Sequence, residues 1–289
     1  MFIIKGLSSI VLSFLMALGW WAPASIEIKN VPEKAEGETR IISFNVRCKD
    51  DTYGPVKTRS QLIVSTLSQY APDSFGVQEA TEEWMQILSD NLGDRYAFIG
   101  KARDDSKNTE YSAVFYLKDK YELLEGGTFW LSETPEEFGS KFKSSSLPRI
   151  ATWAVLKNKE NGKVYTHINT HLDHILEKAR VQQAEVLTEK ISELKKYGAV
   201  VCTGDFNSDE GNDAYNVMTE ALSDTKYLAK ESDNGKTFHN YGRNVFAKKP
   251  IDFVFVSEGT AVSRYKIIDE QIAGMYLSDH SGICADITI

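Results

Sequence analysis

Several stretches of this chain are apolar enough to be buried strands, yet each runs into a side chain that burial penalises. Arg40-Ile41-Ile42-Ser43-Phe44-Asn45-Val46 carries Asn45 at its end, and Ser74-Phe75-Gly76-Val77-Gln78 leads into Glu79. Lys163 to Asn169 leads to Thr170-His171-Leu172-Asp173-His174, and Ala199 to Thr203 leads to Gly204-Asp205-Phe206-Asn207. Asp252 sits in Ile251-Asp252-Phe253-Val254-Phe255, and Asp279-His280 precedes a last strand at 283–289. An amide or carboxylate without a partner is costly in an apolar interior. Each of these groups must therefore meet a metal, a partner or water at a strand terminus. So many unrelated strands ending this way imply one shared polar pocket.

The rest of the chain alternates strand and helix. A helix is predicted over Lys57 to Tyr70, and another from Thr81, its N-cap, to Asn91. β-Branched and aromatic residues mark strands at 96–100, 111–117, 122–130 and 150–156, and a strand at 264–268 follows later. Leu176 to Lys196 is the longest helix, with Ala184, Leu187, Ile191 and Leu194 at helical spacing. Residues 132–148 form the longest irregular stretch, a length that marks a functional or mobile loop. Phe129, Trp130 and Trp153 read as core. The pattern suggests two β-sheets packed together with helices outside, in one domain.

Met1 to Ala24 reads as a secretory signal peptide, with Lys5 before an apolar run from Ile10 to Leu18 and Ala22-Pro23-Ala24 as a cleavage pattern. An uncleaved anchor is the alternative. No other segment is apolar enough to span a bilayer, so the expected location is secreted or periplasmic, with no membrane span after cleavage. Residues 25–38 form a polar leader read as a tether, and the domain occupies 39–289. Cys48, Cys202 and Cys284 allow at most one disulfide, and no C-x-x-C spacing supports zinc or thiol chemistry. The 33 basic and 41 acidic residues give a net charge of −8, which argues against general affinity for duplex DNA.

The pocket set is rich in oxygen and has no thiolate, which suits Mg²⁺ or Mn²⁺ rather than zinc. Its chemistry is phosphoester hydrolysis, with a cation neutralising developing charge while a carboxylate activates water. Arg149, in Leu147-Pro148-Arg149-Ile150, is either a surface residue or a bidentate phosphate clamp. Asp173 and His174 read as solvated loop residues.

Ser43-Phe44-Asn45-Val46-Arg47, Gln78-Glu79, Asn169-Thr170-His171-Leu172, Gly204-Asp205-Phe206-Asn207, Ile251-Asp252-Phe253-Val254 and Ser278-Asp279-His280 occur in that order. Over 39–289 they resemble the endonuclease/exonuclease/phosphatase superfamily, in a form close to its nocturnin-like deadenylase and secreted bacterial branch. The resemblance implies a four-layer α/β sandwich of two packed mixed β-sheets flanked by helices. It implies Glu79 as main metal ligand with Asn45 beside it, and Asp279 as a second ligand or acceptor from a metal-bound water. Asp205 would orient or deprotonate the attacking water, and Asn207 would donate to the scissile phosphate. His280 would contact the phosphate while Asp252 fixes its tautomer, with His171 as second histidine and Glu110 as the carboxylate supporting it.

The expected substrate is a small or single-stranded phosphodiester or phosphomonoester, acted on by a monomer. Lys141, Lys143, Arg149, Lys248 and Lys249 are the nearest approach to a basic cluster, too few for a duplex groove. A nuclease or deadenylase on single-stranded nucleic acid is the alternative. A sphingomyelinase-like enzyme would want an exposed apolar hairpin, which the sequence does not show, and a catalytically silent binding module would want a substituted site position.

Overall fold

The computed structural model describes residues 26–50, 53–272 and 274–289. The signal-peptide reading of 1–24 lies outside the described residues. The first half comprises β1 (Thr39–Asn45), α1 (Val56–Tyr70), β2 (Ser74–Gln78), α2 (Glu82–Leu92), β3 (Tyr96–Ile99) and β4 (Val114–Leu117). It continues with β5 (Tyr121–Trp130), β6 (Ile150–Asn158), β7 (Val164–His171), α3 (Glu177–Leu194) and β8 (Ala199–Asp205). The chain goes on with α4 (Asp213–Ala221), β9 (Ser223–Asp224), α5 (Thr225–Leu228) and β10 (Glu231–Ser232). It closes with β11 (Asp252–Val256), β12 (Ala261–Ile268), the small hairpin β13 (Gln271–Ile272) and β14 (Met275–Tyr276), and β15 (Gly282–Thr288).

One sheet runs β10-β12-β15-β1-β2-β4-β3 and the other β5-β6-β7-β8-β11-β9. Both are mixed: β1 is parallel to β2 and β7 to β8, whereas β15 and β11 run antiparallel to their neighbours. Three apolar clusters mark the three interfaces of a four-layer sandwich. Ile42, Phe44, Phe75 and Val77 pack under α1 and α2 with Leu62, Leu67, Trp84 and Leu88. Ile168, Val200, Cys202, Phe253 and Phe255 pack under α3 and α4 with Leu187, Ile191 and Met218. Ile41, Val114, Tyr165, Val201, Val254, Ile283 and Ala285 fill the space between the sheets.

Strand parity explains how these clusters coexist with the polar residues. Successive side chains point to opposite faces, and in the central strands both faces are buried. On the face toward the other sheet, β1 reads Ile41, Ser43, Asn45; β7 reads Tyr165, His167, Asn169, His171; β8 reads Val201, Thr203, Asp205. Each inner row is apolar or aromatic at one end and polar at the other. In β11, which runs the opposite way, the order inverts and Asp252 comes first, paired in register with Asp205. The polar ends therefore gather at one edge of the sandwich.

Just below that edge the sheets meet through hydrogen bonds. Gln78 Nε2 donates to Asn169 Oδ1 at 2.6 Å, Thr203 Oγ1 donates to the same oxygen at 2.9 Å, and Asn169 Nδ2 donates to the carbonyls of Val77 and Ala113. His167 meets Ser74 Oγ at 2.7 Å and Thr203 Oγ1 at 2.9 Å. Gly76 makes room for this seam, since a Cβ there would stand 2.3 Å from Asn169 Oδ1.

The helices carry ordinary end signals. Thr81 caps α2, accepting from Trp84 N at 3.5 Å, with Glu82 and Glu83 in the first turn to oppose the helix dipole. Ala71 closes α1 in a left-handed conformation, φ 46°, its N–H on the Leu67 carbonyl. Sequence periodicity did not mark α4, whose short apolar stripe is Ala214, Tyr215 and Met218. The three cysteines are free, with Cys202 and Cys284 buried. No helix among the described residues is long and apolar enough to cross a membrane.

Two expectations are corrected. The polar leader is not a free tether: Ile26 and Ile28 are buried, and the Ile26 carbonyl accepts from Ser65 Oγ and Gln69 Nε2 of α1. Ile26 and Ile28, with Val31 packed beside them, join the apolar cluster under α1 and α2. Asp173 is buried rather than solvated, because it joins two loops. Its Oδ2 accepts from Ser146 N and Oγ, and its Oδ1 from Ile175 N and Leu176 N at the start of α3. These bonds hold the Asp173 carboxyl down to about 2 against the opposing effect of burial, and they pin the long irregular stretch instead of leaving it loose.

Gly76→Ala is expected to lower stability by about 1–3 kcal/mol, the range for overpacking a close-packed interior. The denaturant midpoint of unfolding checks it, and an unchanged midpoint would mean that the seam yields without cost.

Candidate active site

The strand ends deliver Asn45, Glu79, His171, Asp205, Asn207, Asp252, Asp279 and His280 to the same edge. Asp205 is at the centre. Its Oδ2 accepts from Asn45 Nδ2 at 2.9 Å and its Oδ1 from Asn207 N at 2.9 Å. Its Oδ2 also lies 3.5 Å from His171 Nε2 and 3.7 Å from His280 Nε2. Asn45 Nδ2 reaches Glu79 Oε1 as well, at 3.1 Å. Asp205, Asp252 and His280 present ligand-type atoms within 4.8 Å of one another. Separated by up to 235 positions in sequence, these groups share one pocket.

Local backbone shapes the pocket. Arg47 (φ 60°), Glu79 (φ 57°) and Asn207 (φ 48°) are non-glycine residues in the left-handed region, each just past a strand end. Such conformations cost on the order of 1–3 kcal/mol and persist where the surroundings over-determine them. Here two are held by side chains two residues back: Arg47 N donates to Asn45 Oδ1 at 3.0 Å, and Asn207 N to Asp205 Oδ1. Glu79 is held through Oε2, which accepts from Cys48 N at 3.0 Å.

Burial and pairing set the charges. His280 Nδ1 contacts Asp252 Oδ2 at 2.9 Å. Burial alone would lower the His280 pKa, but Asp252 and Asp205 raise it to about 10, so the ring is cationic at neutral pH. The Asp205 carboxyl is raised as well: burial, then the charge of Asp252 opposite it, push it up to about 7. His171 is held well below its ordinary value by burial and by Arg149. The neutral ring accepts at Nε2 from Asn207 Nδ2 at 3.0 Å. Glu79 stays below the ordinary carboxylate value despite burial, through the Cys48 amide and Arg47, whereas burial raises Asp279.

Arg47 lies between two of the acids, Nη1 3.7 Å from Glu79 Oε2 and Nε 3.4 Å from Asp279 Oδ2. Arg59 holds the Arg47 turn from below by donating to the carbonyls of Val46, Arg47, Lys49 and Gly54. Neither arginine was singled out by sequence reasoning. A buried arginine on α1 facing the first strand-end motif was the available signal.

The resemblance directs Glu110 to His171, and the structure gives it another partner. Glu110 Oε2 accepts from Arg103 Nη1 at 2.7 Å, and the two backbones are joined by Arg103 N to the Glu110 carbonyl. His171 Nδ1 is buried with no hydrogen-bond partner. A charge-assisted bond to a guanidinium fixed directly opposite outcompetes an imidazole. Arg149 is buried rather than on the surface, with Nη2 3.1 Å from His174 Nδ1, and His174 is exposed.

The sequence pattern of the Endonuclease/Exonuclease/phosphatase family matches residues 42–280. The chain belongs to this family. A solved family protein from Bacteroides vulgatus is 34% identical, with a TM-score of 0.81 over 86% of this chain and 98% of that one. A mannosyl-6-phosphatase from Bacteroides thetaiotaomicron is 32% identical, with a TM-score of 0.76 over 87% of this chain and all of that one. The Ccr4 3'-5'-exoribonuclease subunit of the CCR4-Not complex from Debaryomyces hansenii is 27% identical over 197 residues, 58% of this chain but only 23% of that protein. This family member is an enzyme, a hydrolase of phosphate esters.

The donor set fits a divalent cation. Glu79, Asp279 and Asp205 supply only carboxylate oxygen, Asn45 an amide, and Arg47 answers two of the acids at long range with its buried Nε unbonded. Hard oxygen donors in excess over local positive charge are the environment such an ion requires.

In chelator, the ion pair of His280 with Asp252 contributes stability that is complete below the unfolded histidine value, near 6.5, and is lost as pH rises toward about 10. Asp252→Asn is therefore expected to shrink the fall in melting temperature over that window. Parallel wild-type and variant curves would contradict the pairing.

Proposed function

We propose that this chain is an exported, Mg²⁺-dependent phosphoesterase of small phosphate esters, with Mn²⁺ able to substitute, that uses Asp205 to deprotonate the attacking water. The observation that carries the reading is the placement of Asp205. Its carboxylate is held by Asn45 and Asn207 and stands within 4 Å of both imidazoles, with a pKa raised to about 7. A base is most effective when its pKa lies near the working pH. His280, cationic and fixed by Asp252, would donate to a phosphoryl oxygen. Asn207 Nδ2, now shared between His171 Nε2 and the Leu172 carbonyl, is a second donor at the same position.

Glu79, Asn45 and Asp279 would hold the cation, which when bound neutralises charge developing on the phosphoryl group. Neutral His171 keeps its unprotonated nitrogen toward Asn207 and orients that amide by accepting from it. Export rests on the N-terminal Lys5, apolar and Ala22-Pro23-Ala24 pattern. The likeness to a mannosyl-6-phosphatase over 87% of this chain supports a small monoester, whereas the likeness to Ccr4 supports single-stranded RNA as the second reading.

Wild type should hydrolyse members of a panel of sugar phosphates, nucleotides, single-stranded RNA and lipid head-group esters with Mg²⁺, and lose turnover in EDTA. Asp205→Ala should reduce kcat by about 10²–10⁴-fold, the usual worth of a positioned base, with folding unchanged by circular dichroism. Unaltered turnover in that variant would end the assignment.

A further inference from the structure

The corner of the site beside His171 holds a positive charge that the hydrolysis described above does not use. Arg149 precedes β6 at the end of the long irregular stretch and is only 3% exposed. Among the described residues no carboxylate lies within ion-pair distance of its guanidinium. Nη2 meets His174 Nδ1, and Nε has no hydrogen-bond partner. The other buried arginines are answered: Arg40 pairs with Asp286, Arg59 donates to four carbonyls, and Arg103 pairs with Glu110. A guanidinium taken out of water without a counter-charge costs several kcal/mol. A purely structural arginine would have been given an acceptor for each edge of its fork, as Arg40 and Arg59 were.

The neighbours show what is missing. Arg103 is close enough for the two guanidinium charges to oppose each other, and both oppose protonation of His171. Arg103 Nε is itself buried without a hydrogen-bond partner. The charge of Asp205 reaches Arg149 as well, which puts the cation on the same pocket as the reacting group. Arg149 is thus a preformed, buried donor fork hydrogen-bonded to the imidazole of an exposed loop residue, with the charges of Glu110, Asp205 and Asp173 acting on it from beyond ion-pair distance.

We propose that Arg149, backed by Arg103, binds the non-esterified oxygens of a terminal phosphoryl group and makes this enzyme selective for phosphomonoesters over phosphodiesters. The inference rests on the phosphoesterase reading above. A monoester has a second pKa near 6 and so carries close to two negative charges at neutral pH. A diester carries one, and places an ester carbon on an oxygen that the fork would otherwise grip. A planar guanidinium binds two such oxygens in parallel, which a lysine does not. The neutral His174 ring holds the fork until a stronger acceptor arrives.

The test compares p-nitrophenyl phosphate with methyl p-nitrophenyl phosphate under Mg²⁺, and measures binding of inorganic phosphate to the metal-free protein by calorimetry. Wild type should favour the monoester. Arg149→Gln should lose about 10- to 100-fold in kcat/KM on the monoester, the range for a charge-assisted hydrogen-bond pair, with less than about threefold change on the diester. Phosphate binding should weaken to the same degree, and Arg149→Lys should fall between the two. Thermal melting reports folding, and the lysine variant carries the comparison if the glutamine variant does not fold. Equal losses on both esters, an unchanged monoester rate, or a wild type that prefers the diester would overturn the selectivity. If wild type hydrolyses neither ester with Mg²⁺, the phosphoesterase reading falls. Phosphate bound equally by wild type and Arg149→Gln overturns the anion site on its own.

Discussion

The hydrogen-bonded seam between the two sheets is the constraint on which the site depends. Two sheets packed only through Ile41, Val114, Val201 and their neighbours have no unique lateral position, because apolar contact is non-directional. Gln78, Asn169, Thr203, His167 and Ser74 supply direction. Each of these bonds joins fully buried groups, so a small slide would strand several buried polar atoms at once. Gly76 lets the backbones come close enough for the bonds to form. The seam lies directly below the strand ends, and the strands that contribute to it, β2, β7 and β8, are those that deliver Glu79, His171 and Asp205.

Above the seam, electrostatics takes over from packing. Asp205 and Asp252 are register partners on adjacent strands, an arrangement of like charges that is unfavourable by itself. His280 resolves it by binding Asp252 directly and standing within reach of Asp205. The same opposition that makes His280 a strong base makes Asp205 a carboxyl poised near neutrality. Both groups are raised, His280 to about 10 and Asp205 to about 7, so the imidazolium keeps its proton while the carboxylate can take one up. The left-handed turns at Arg47, Glu79 and Asn207 belong to this layer too, since each is stabilised by an acid or amide of the site rather than by glycine.

Much of the fold was legible because the central strands are apolar and short, the main helices carry regular stripes, and α2 has its Thr81 cap. What was not legible had weaker local signals. Helix α4 has only two and a half turns and three buried residues, too few for a period to stand out. Ile26 and Ile28 sit among charges in a segment of leader composition, and only α1 reveals their purpose. Asp173 looks like any acid in a turn until Ser146 and the start of α3 are brought to it. Glu110 shows the limit of a resemblance: motif position located the residue near the site, but its partner was decided by Arg103, which belongs to no motif used to read the chain.

The amino-acid order by itself determined that polar residues end several buried strands, and elementary desolvation required them to find partners. That is a statement about parity and burial, readable in one dimension. Which polar residues partner which was decided only in three dimensions. Asn169 and Asn45 are the same side chain at similar strand positions, yet one joins the sheets and the other faces the site. The difference is depth along the sandwich, set by strand stagger and by the close approach at Gly76, and no local stretch of sequence encodes a distance between two sheets.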